Sequence, residues 1–157
     1  MIQFAHATMA ANPRTKESKI AAYVYAGVLV VMAVAQLFSF EKFIPLIESY
    51  WLPGGYGTAS LVAGIVVIAE VFAVPYLLRM PLSPLMRWFS LVCGLLVPII
   101  WTILAISAIS TTNALHNSGM LGTKIVIPAG WTQLFVSIAL LGLATWSAWG
   151  LWPARKN

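Results

Sequence analysis

The segment Thr58–Leu78, TASLVAGIVVIAEVFAVPYLL, decides the fold of this chain. It is long enough to cross a bilayer, because a helix of about 20 residues covers the ~30 Å hydrocarbon core at ~1.5 Å per residue. Its only charged residue is Glu70. The run Leu61–Ile68 does not alternate between polar and apolar residues, as a membrane-spanning β-strand would. The segment therefore predicts a transmembrane helix that carries one buried acid.

Three further apolar segments have a similar length: Ile20–Phe40, Trp88–Ile109 and Trp131–Trp152. The composition agrees with them, because 61% of the 157 residues are hydrophobic and only 8% are charged. Soluble domains contain about 25% charged residues. We therefore predict an all-α integral membrane protein, an antiparallel four-helix bundle that forms one domain over residues 20–152. Residues 1–19 and 153–157 are expected to be short cytoplasmic tails.

The basic residues predict the orientation in the membrane, because cytoplasmic flanks and loops collect Lys and Arg. Seven of the nine lie on one side of the predicted spans: Arg14, Lys16, Lys19, Arg79, Arg87, Arg155 and Lys156. Lys42 and Lys124 lie on the other side. Both termini are therefore expected in the cytoplasm. The net charge of +5 follows from this asymmetry and from attraction to anionic lipid, so it does not indicate nucleic-acid binding.

Two outer loops carry further patterns. The loop Glu41–Gly57 has apolar residues at steps of three and four, opposite its charged residues: Phe43, Leu46, Ile47, Tyr50 and Trp51. This spacing predicts a short amphipathic helix in the membrane interface, with Trp51 on its apolar face. The loop Thr111–Gly130 is long for a link between adjacent helices, and loops of this length are either functional or mobile.

Glu70 is the strongest candidate for chemistry, because it is the only Asp, Glu, Lys, Arg or His in the four predicted spans. An ionisable group inside a bilayer costs a few kcal/mol, so Glu70 must face protein or water. Burial without a cation favours the protonated carboxyl group, which can donate a hydrogen bond. Two interpretations have equal weight: Glu70 handles a proton or contacts a quinone, or it links helices by hydrogen bonding.

Residues at a similar depth predict a polar cluster around Glu70: Tyr25, Ser90, Cys93 and Thr145. Tyr25 or Thr145 is the expected catalytic partner of Glu70, and Ser90 and Cys93 are further candidates for quinone contact. A second polar level nearer the outside is interpreted as hydrogen bonding between helices: Gln36, Thr102 and Ser137.

Other motifs restrict the chemistry. Cys93 is the only cysteine, so the chain has no intrachain disulfide and lacks the paired thiols of thiol–disulfide oxidoreductases. Its simplest role is a small apolar residue in a helix interface. His116, Glu41 and Glu48 lack the spacing of a metal site, and we predict no metal. Pro75 and Pro98 lie inside predicted spans and are expected to leave backbone carbonyls free for hydroxyl or water partners.

The order of these features resembles the DoxX-like group of small four-helix membrane proteins. The resemblance rests on the segment from Phe43-Ile44-Pro45 onwards, the buried acid in Ala69-Glu70-Val71-Phe72, the short basic turn and the two further spans. This group is similar to the methylamine-utilisation MauE proteins and to the DoxD subunit of thiosulfate:quinone oxidoreductase. It implies a four-helix bundle in a bacterial or archaeal cytoplasmic membrane, associated with quinone-linked redox enzymes.

Three functions are compatible with the sequence. The first is a membrane subunit of a quinone-linked oxidoreductase, with quinone as the cofactor and Glu70 as the group that handles protons. The second is a noncatalytic structural or assembly subunit, which contacts protein partners in a larger membrane complex. The third is a small transporter or channel, for which one carboxylate and a few hydroxyls provide a thin polar lining.

Overall fold

A computed structural model describes residues 6–111 and 115–152. The predicted tail 153–157, with Arg155 and Lys156, lies outside the described residues, as do residues 1–5 and 112–114. The described parts form five helices and no strand: α1 (Lys16–Leu37), α2 (Phe40–Glu48), α3 (Gly55–Leu77), α4 (Pro84–Ser110) and α5 (Trp131–Leu151). The all-α prediction is confirmed, and α2 occupies the place of the predicted outer helix.

The four long helices, α1, α3, α4 and α5, pack together. α3 contacts α4, α4 contacts α5, and α1 contacts both α3 and α5. Each of the four is long and apolar enough to cross a membrane, judged by length and composition. Small residues let helix backbones approach closely, and several of them are buried in this core: Ala22, Ala26, Ala59, Ala63, Ala73 and Ala105.

α1 and α4 each begin just after a capping residue, and hydropathy misses both positions, whereas α5 begins at the predicted Trp131. α4 starts at Pro84, a turn before the predicted Trp88, because Ser83 Oγ accepts a hydrogen bond of 3.2 Å from the Met86 amide. Proline suits this first position, since its missing N–H has no partner there in any helix. α1 is capped in the same way, with Thr15 Oγ1 3.1 Å from the Ser18 amide.

α2 packs against α3 and confirms most of the predicted amphipathic face. Phe43, Ile47 and Tyr50 are buried, as the spacing requires. Trp51 is the exception, because 76% of its surface is exposed. The prediction for Trp51 was wrong because α2 ends at Glu48 and the chain then turns, so that Trp51 adopts a φ of 57°.

The segment 8–14 is hydrogen-bonded to the α3–α4 link and to the end of α5. We call this end of the structure the basic end, because Arg14, Arg79 and Arg87 lie there. Thr8 pairs with the backbone of Leu82 in the link between α3 and α4, with 3.0 Å from the Thr8 nitrogen to the Leu82 oxygen. Arg79 and Arg87 donate to carbonyls of this segment. Arg14 then reaches the end of α5, where its amide donates to the Gly150 carbonyl at 2.9 Å.

Candidate functional site

Glu70 is fully buried and shares a hydrogen bond with Gln36 of α1. Gln36 Nε2 donates to Glu70 Oε1 at 3.0 Å and to the Met120 carbonyl at 2.9 Å. Because a backbone carbonyl only accepts, the amide nitrogen of Gln36 must face Met120. One amide group therefore connects α1, α3 and the loop that precedes α5.

Three buried polar atoms in the same place have no hydrogen-bond partner among the described residues: Glu70 Oε2, Gln36 Oε1 and Trp101 Nε1. The indole of Trp101 faces the carboxyl group of Glu70. Buried polar atoms are nearly always paired, so an unpaired set calls for a physical reason. The set contains one fixed donor, the Trp101 N–H, and acceptors on Gln36 and Glu70. We call Gln36, Glu70, Trp101 and Met120 the Glu70 cluster.

The loop of the Glu70 cluster lies close to α1 and α2 because it contains two glycines with positive φ. Gly119 has a φ of 81° and Gly122 a φ of 67°, in the left-handed region that other residues rarely adopt. A Cβ atom on Gly122 would overlap the carbonyl oxygen of Ala35 in α1. The Thr123 amide also donates to Ser39 Oγ at 3.2 Å. The backbone around Met120 thus covers the Glu70 cluster at the C-terminal end of α1.

A second polar group supports this loop from the other side. The Tyr50 hydroxyl lies 2.9 Å from both Gln133 Oε1 and the Ser118 carbonyl. Gln133 Nε2 donates in turn to the Trp101 carbonyl at 3.3 Å. Burial raises the pKa of the Tyr50 phenol above its usual value of 10.0, so the phenol stays neutral and donates. Tyr50, two residues after the end of α2, is therefore joined to the loop, α4 and α5 by one chain of hydrogen bonds.

Tyr25 bonds to the backbone, and proline explains its position. The Gly94 carbonyl would normally accept from residue 98, but Pro98 has no N–H. Tyr25 fills this place, with its hydroxyl 2.6 Å from the Gly94 oxygen. The prediction that a proline in a span leaves a carbonyl for a hydroxyl is confirmed here. Tyr25 therefore has a structural partner other than Glu70.

Ser90 has a comparable role beside Pro75 of α3. Its Oγ accepts from the Tyr76 amide at 3.1 Å and donates to the Phe72 carbonyl. An uninterrupted helix would join these two backbone groups directly. The hydroxyl of Ser90 is thus inserted between them and links α4 to α3.

The structure does not bring Cys93 and Thr145 into the Glu70 cluster. Cys93 is buried in the core, in agreement with the interpretation as a small apolar residue. Thr145 is exposed, and its hydroxyl donates to the Leu141 carbonyl of its own helix at 2.9 Å. The expectation that Thr145 partners Glu70 was wrong, because its side chain lies on the outward face of α5.

Gln36 was assigned to the wrong polar level, and Met120 was missed altogether. Helical side chains lean toward the N-terminus of their own helix. Long side chains such as those of Gln36 and Glu70 can therefore meet although their Cα atoms lie at different depths. For the other two members of the outer level, hydrogen bonding between helices is confirmed, because Thr102 Oγ1 lies 3.1 Å from Ser137 Oγ.

Comparison of the sequence and the structure with family models, curated proteins and solved structures gave no match.

Proposed function

We propose that this protein is an integral membrane protein whose four long helices form an antiparallel bundle, and that it serves as a membrane subunit in quinone-linked redox chemistry. Both termini face the cytoplasm of a bacterial or archaeal cell in this proposal. The Glu70 cluster is the centre at which a proton is held, and a protein partner supplies the electrons.

The surface of the four long helices supports insertion into a bilayer. α1, the second shortest of them, has 22 residues, or ~33 Å at the helical rise, which matches the ~30 Å of hydrocarbon. Large apolar side chains are exposed on their outward faces, among them Val31, Ile65, Ile103 and Ile138. Tryptophans near the helix ends are also exposed, as in the aromatic belts of membrane proteins: Trp88, Trp131, Trp149 and Trp152.

The basic end supports the cytoplasmic assignment of the termini. Arg79 and Arg87 bond to the same N-terminal segment, and the Arg14 guanidinium lies 5.0 Å above the ring of Trp149. Arg14 before α1 and Arg79 and Arg87 near the α3–α4 link therefore lie at the same end of the structure, beside the end of α5. Such a concentration of cations at one end is typical of the cytoplasmic side.

One observation carries the redox part of the proposal: a fully buried carboxyl group has one oxygen bonded to the neutral amide of Gln36 and no cation among the described residues bonded to it, and the indole of Trp101 lies beside it. Reduction of a quinone consumes protons as well as electrons. Glu70 Oε2 is the atom that holds such a proton, and Trp101 Nε1 is a second hydrogen-bond donor beside this carboxyl group. The resemblance to DoxX-like proteins points to the same chemistry.

The test is to purify the protein from its native membrane in mild detergent and to measure quinone per protein by organic extraction and mass spectrometry. We expect a stoichiometric quinone in the wild type and its loss in Glu70→Gln and Trp101→Phe. Ser147→Ala is the matched control, because Ser147 is equally buried and its hydroxyl also lacks a partner among the described residues. A wild-type protein without quinone would contradict the redox role.

A noncatalytic subunit is the second candidate, and the bonds of Gln36 favour it. Because Gln36 Nε2 connects Glu70 with Met120, the buried acid also fixes the position of the outer loop. In this case Glu70→Gln is tolerated, and the same purification recovers stoichiometric partner proteins with no quinone bound to this chain. The two candidates thus give opposite results in one experiment.

A further inference from the structure

The end of the structure opposite the basic end carries a groove with a polar half and an apolar half. The polar half has a volume of about 610 Å³ and is lined by Glu41, Lys42 and Lys124, together with the first residues after α1. The apolar half has a volume of about 410 Å³. Both halves share Phe38 and Lys124 in their lining, so they are adjacent. We call the whole feature the outer groove.

The apolar half runs along the exposed face of α1. Its floor is formed by Val30, Val31 and Val34, and one wall by Leu121 and Ile125 of the loop. From Val30 to Phe38 the helix rises by ~12 Å, which is close to half of the ~30 Å hydrocarbon thickness. The length and the lining therefore fit one hydrocarbon chain within a single leaflet.

The charges of the polar half define the other end of the ligand. Among the described residues, Lys42 and Lys124 are the only Lys or Arg at this end, whereas five lie toward the opposite end: Arg14, Lys16, Lys19, Arg79 and Arg87. Topology disfavours cations here, yet both lysines line one groove at the end of the apolar channel. Glu41 is the single acid in the lining, so the polar half has a net positive charge.

We propose that the outer groove binds an anionic phospholipid of the outer leaflet, with its phosphate at Lys42 and Lys124 and an acyl chain along Val30, Val31 and Val34. Charge complementarity and the position of the lysines at the end of an apolar channel identify this class of ligand. The proposal depends on the membrane insertion proposed above and is independent of the redox role of Glu70. Because Lys124, Leu121 and Ile125 belong to the loop that covers the Glu70 cluster, the lipid also holds that loop in place.

The experiment uses the full chain in nanodiscs that contain phosphatidylglycerol and phosphatidylcholine with the same acyl chains. Native mass spectrometry after release from the nanodisc measures the ratio of the two lipids that the protein retains. We expect the wild type to prefer phosphatidylglycerol, and each of Lys42→Gln and Lys124→Gln to lower this preference by about fivefold. Glu41→Gln is expected to raise the preference, which no loss of folding would do.

The apolar half of the outer groove is tested by a substitution that fills it with a bulky side chain. Val34→Trp is expected to lower retention of both lipids, whereas Ile138→Trp, at an equally exposed site on α5, leaves retention unchanged. Equal preference for the two lipids in the wild type would overturn the proposal. This experiment measures neither quinone content nor redox activity. A negative result would therefore overturn the lipid proposal and leave the redox role of Glu70 untouched.

Discussion

Gln36 and Glu70 are joined by a buried hydrogen bond of 3.0 Å between α1 and α3, and the same Gln36 nitrogen bonds to the carbonyl of Met120. Glu70, the only acid in the four predicted spans, thus meets a neutral amide and not a cation. A neutral donor satisfies one carboxyl oxygen and leaves the other unpaired among the described residues. Glu70 therefore has two properties that can be tested separately: it accepts a hydrogen bond from Gln36, and it can hold a proton.

Replacement of Glu70 separates these two properties. Glu70→Gln keeps an oxygen for Gln36 Nε2, so we expect the free energy of unfolding to change by no more than about 1 kcal/mol. Glu70→Leu leaves a buried N–H of Gln36 without a partner and is expected to cost about 1–3 kcal/mol. Unfolding in detergent, followed by circular dichroism, measures both. Equal destabilisation by the two variants would mean that the proton or the charge of Glu70 is itself needed for folding.

A substitution at Gly122 tests whether the loop over the Glu70 cluster depends on its close approach to α1. Gly122→Ala forces a Cβ atom against the Ala35 carbonyl and places alanine at a φ of 67°, which alone costs about 1–2 kcal/mol. We expect the loop to detach from α1, with faster hydrogen exchange at the Thr123 amide and in the rest of 115–130.

Gly64→Ala is the control for this loop variant. Gly64 lies inside α3, and nothing surrounds its added Cβ within 4 Å. Alanine in a helix interior is favoured over glycine by about 0.5–1 kcal/mol, so this variant should be neutral or slightly more stable. Unchanged exchange in Gly122→Ala would show that the loop does not need this close approach.

Much of the fold could be predicted from the sequence because long apolar runs have one stable form in a bilayer, the helix. The starts of α1 and α4 could not, since they depend on the caps Thr15 and Ser83. The need for a hydroxyl near Pro98 was also predictable, because proline removes a specific backbone donor. Which hydroxyl fills the place depends on helix packing, and the sequence gives no measure of that.

The candidate site was predicted only in part. Glu70 stands out in the sequence as an isolated charge, whereas Gln36 and Trp101 are ordinary residues in apolar spans. Met120 contributes a backbone carbonyl, which carries no sequence signal at all. Thr145 has the expected depth but lies on the exposed face of α5. Depth along a helix therefore identifies candidates, and the facing direction decides which of them meet.

The buried phenol of Tyr50 lets us predict how stability responds to alkaline pH. Burial raises the pKa of its phenol above the unfolded value of 10.0, so the folded state disfavours ionisation. Its contribution to stability is fully present below pH 10 and is lost as the pH rises above it. We expect Tyr50→Phe to be less stable at pH 8 and to lose less further stability between pH 10 and 12 than the wild type. Thermal unfolding over this pH range measures the difference, and parallel losses in both proteins would contradict it.

Tyr25 and Pro98 are predicted to be coupled, because the tyrosine replaces a backbone donor that the proline lacks. Tyr25→Phe alone leaves the Gly94 carbonyl buried without a donor and is expected to cost about 1–3 kcal/mol. In a Pro98→Ala background the amide of residue 98 can bond to Gly94, so the same change should cost much less. The coupling energy from a double-mutant cycle is expected at about 0.5–3 kcal/mol.

Tyr76→Phe provides the matched cycle. Its hydroxyl donates to the Ala148 carbonyl at 3.4 Å and has no connection to the Gly94–Pro98 pair, so its effect should add to that of Pro98→Ala. Additivity of Tyr25→Phe with Pro98→Ala would mean that Gly94 has no need of a donor. Coupling for Tyr25 together with additivity for Tyr76 would assign Tyr25 a structural role and leave Gln36, Glu70 and Trp101 as the buried residues available for chemistry.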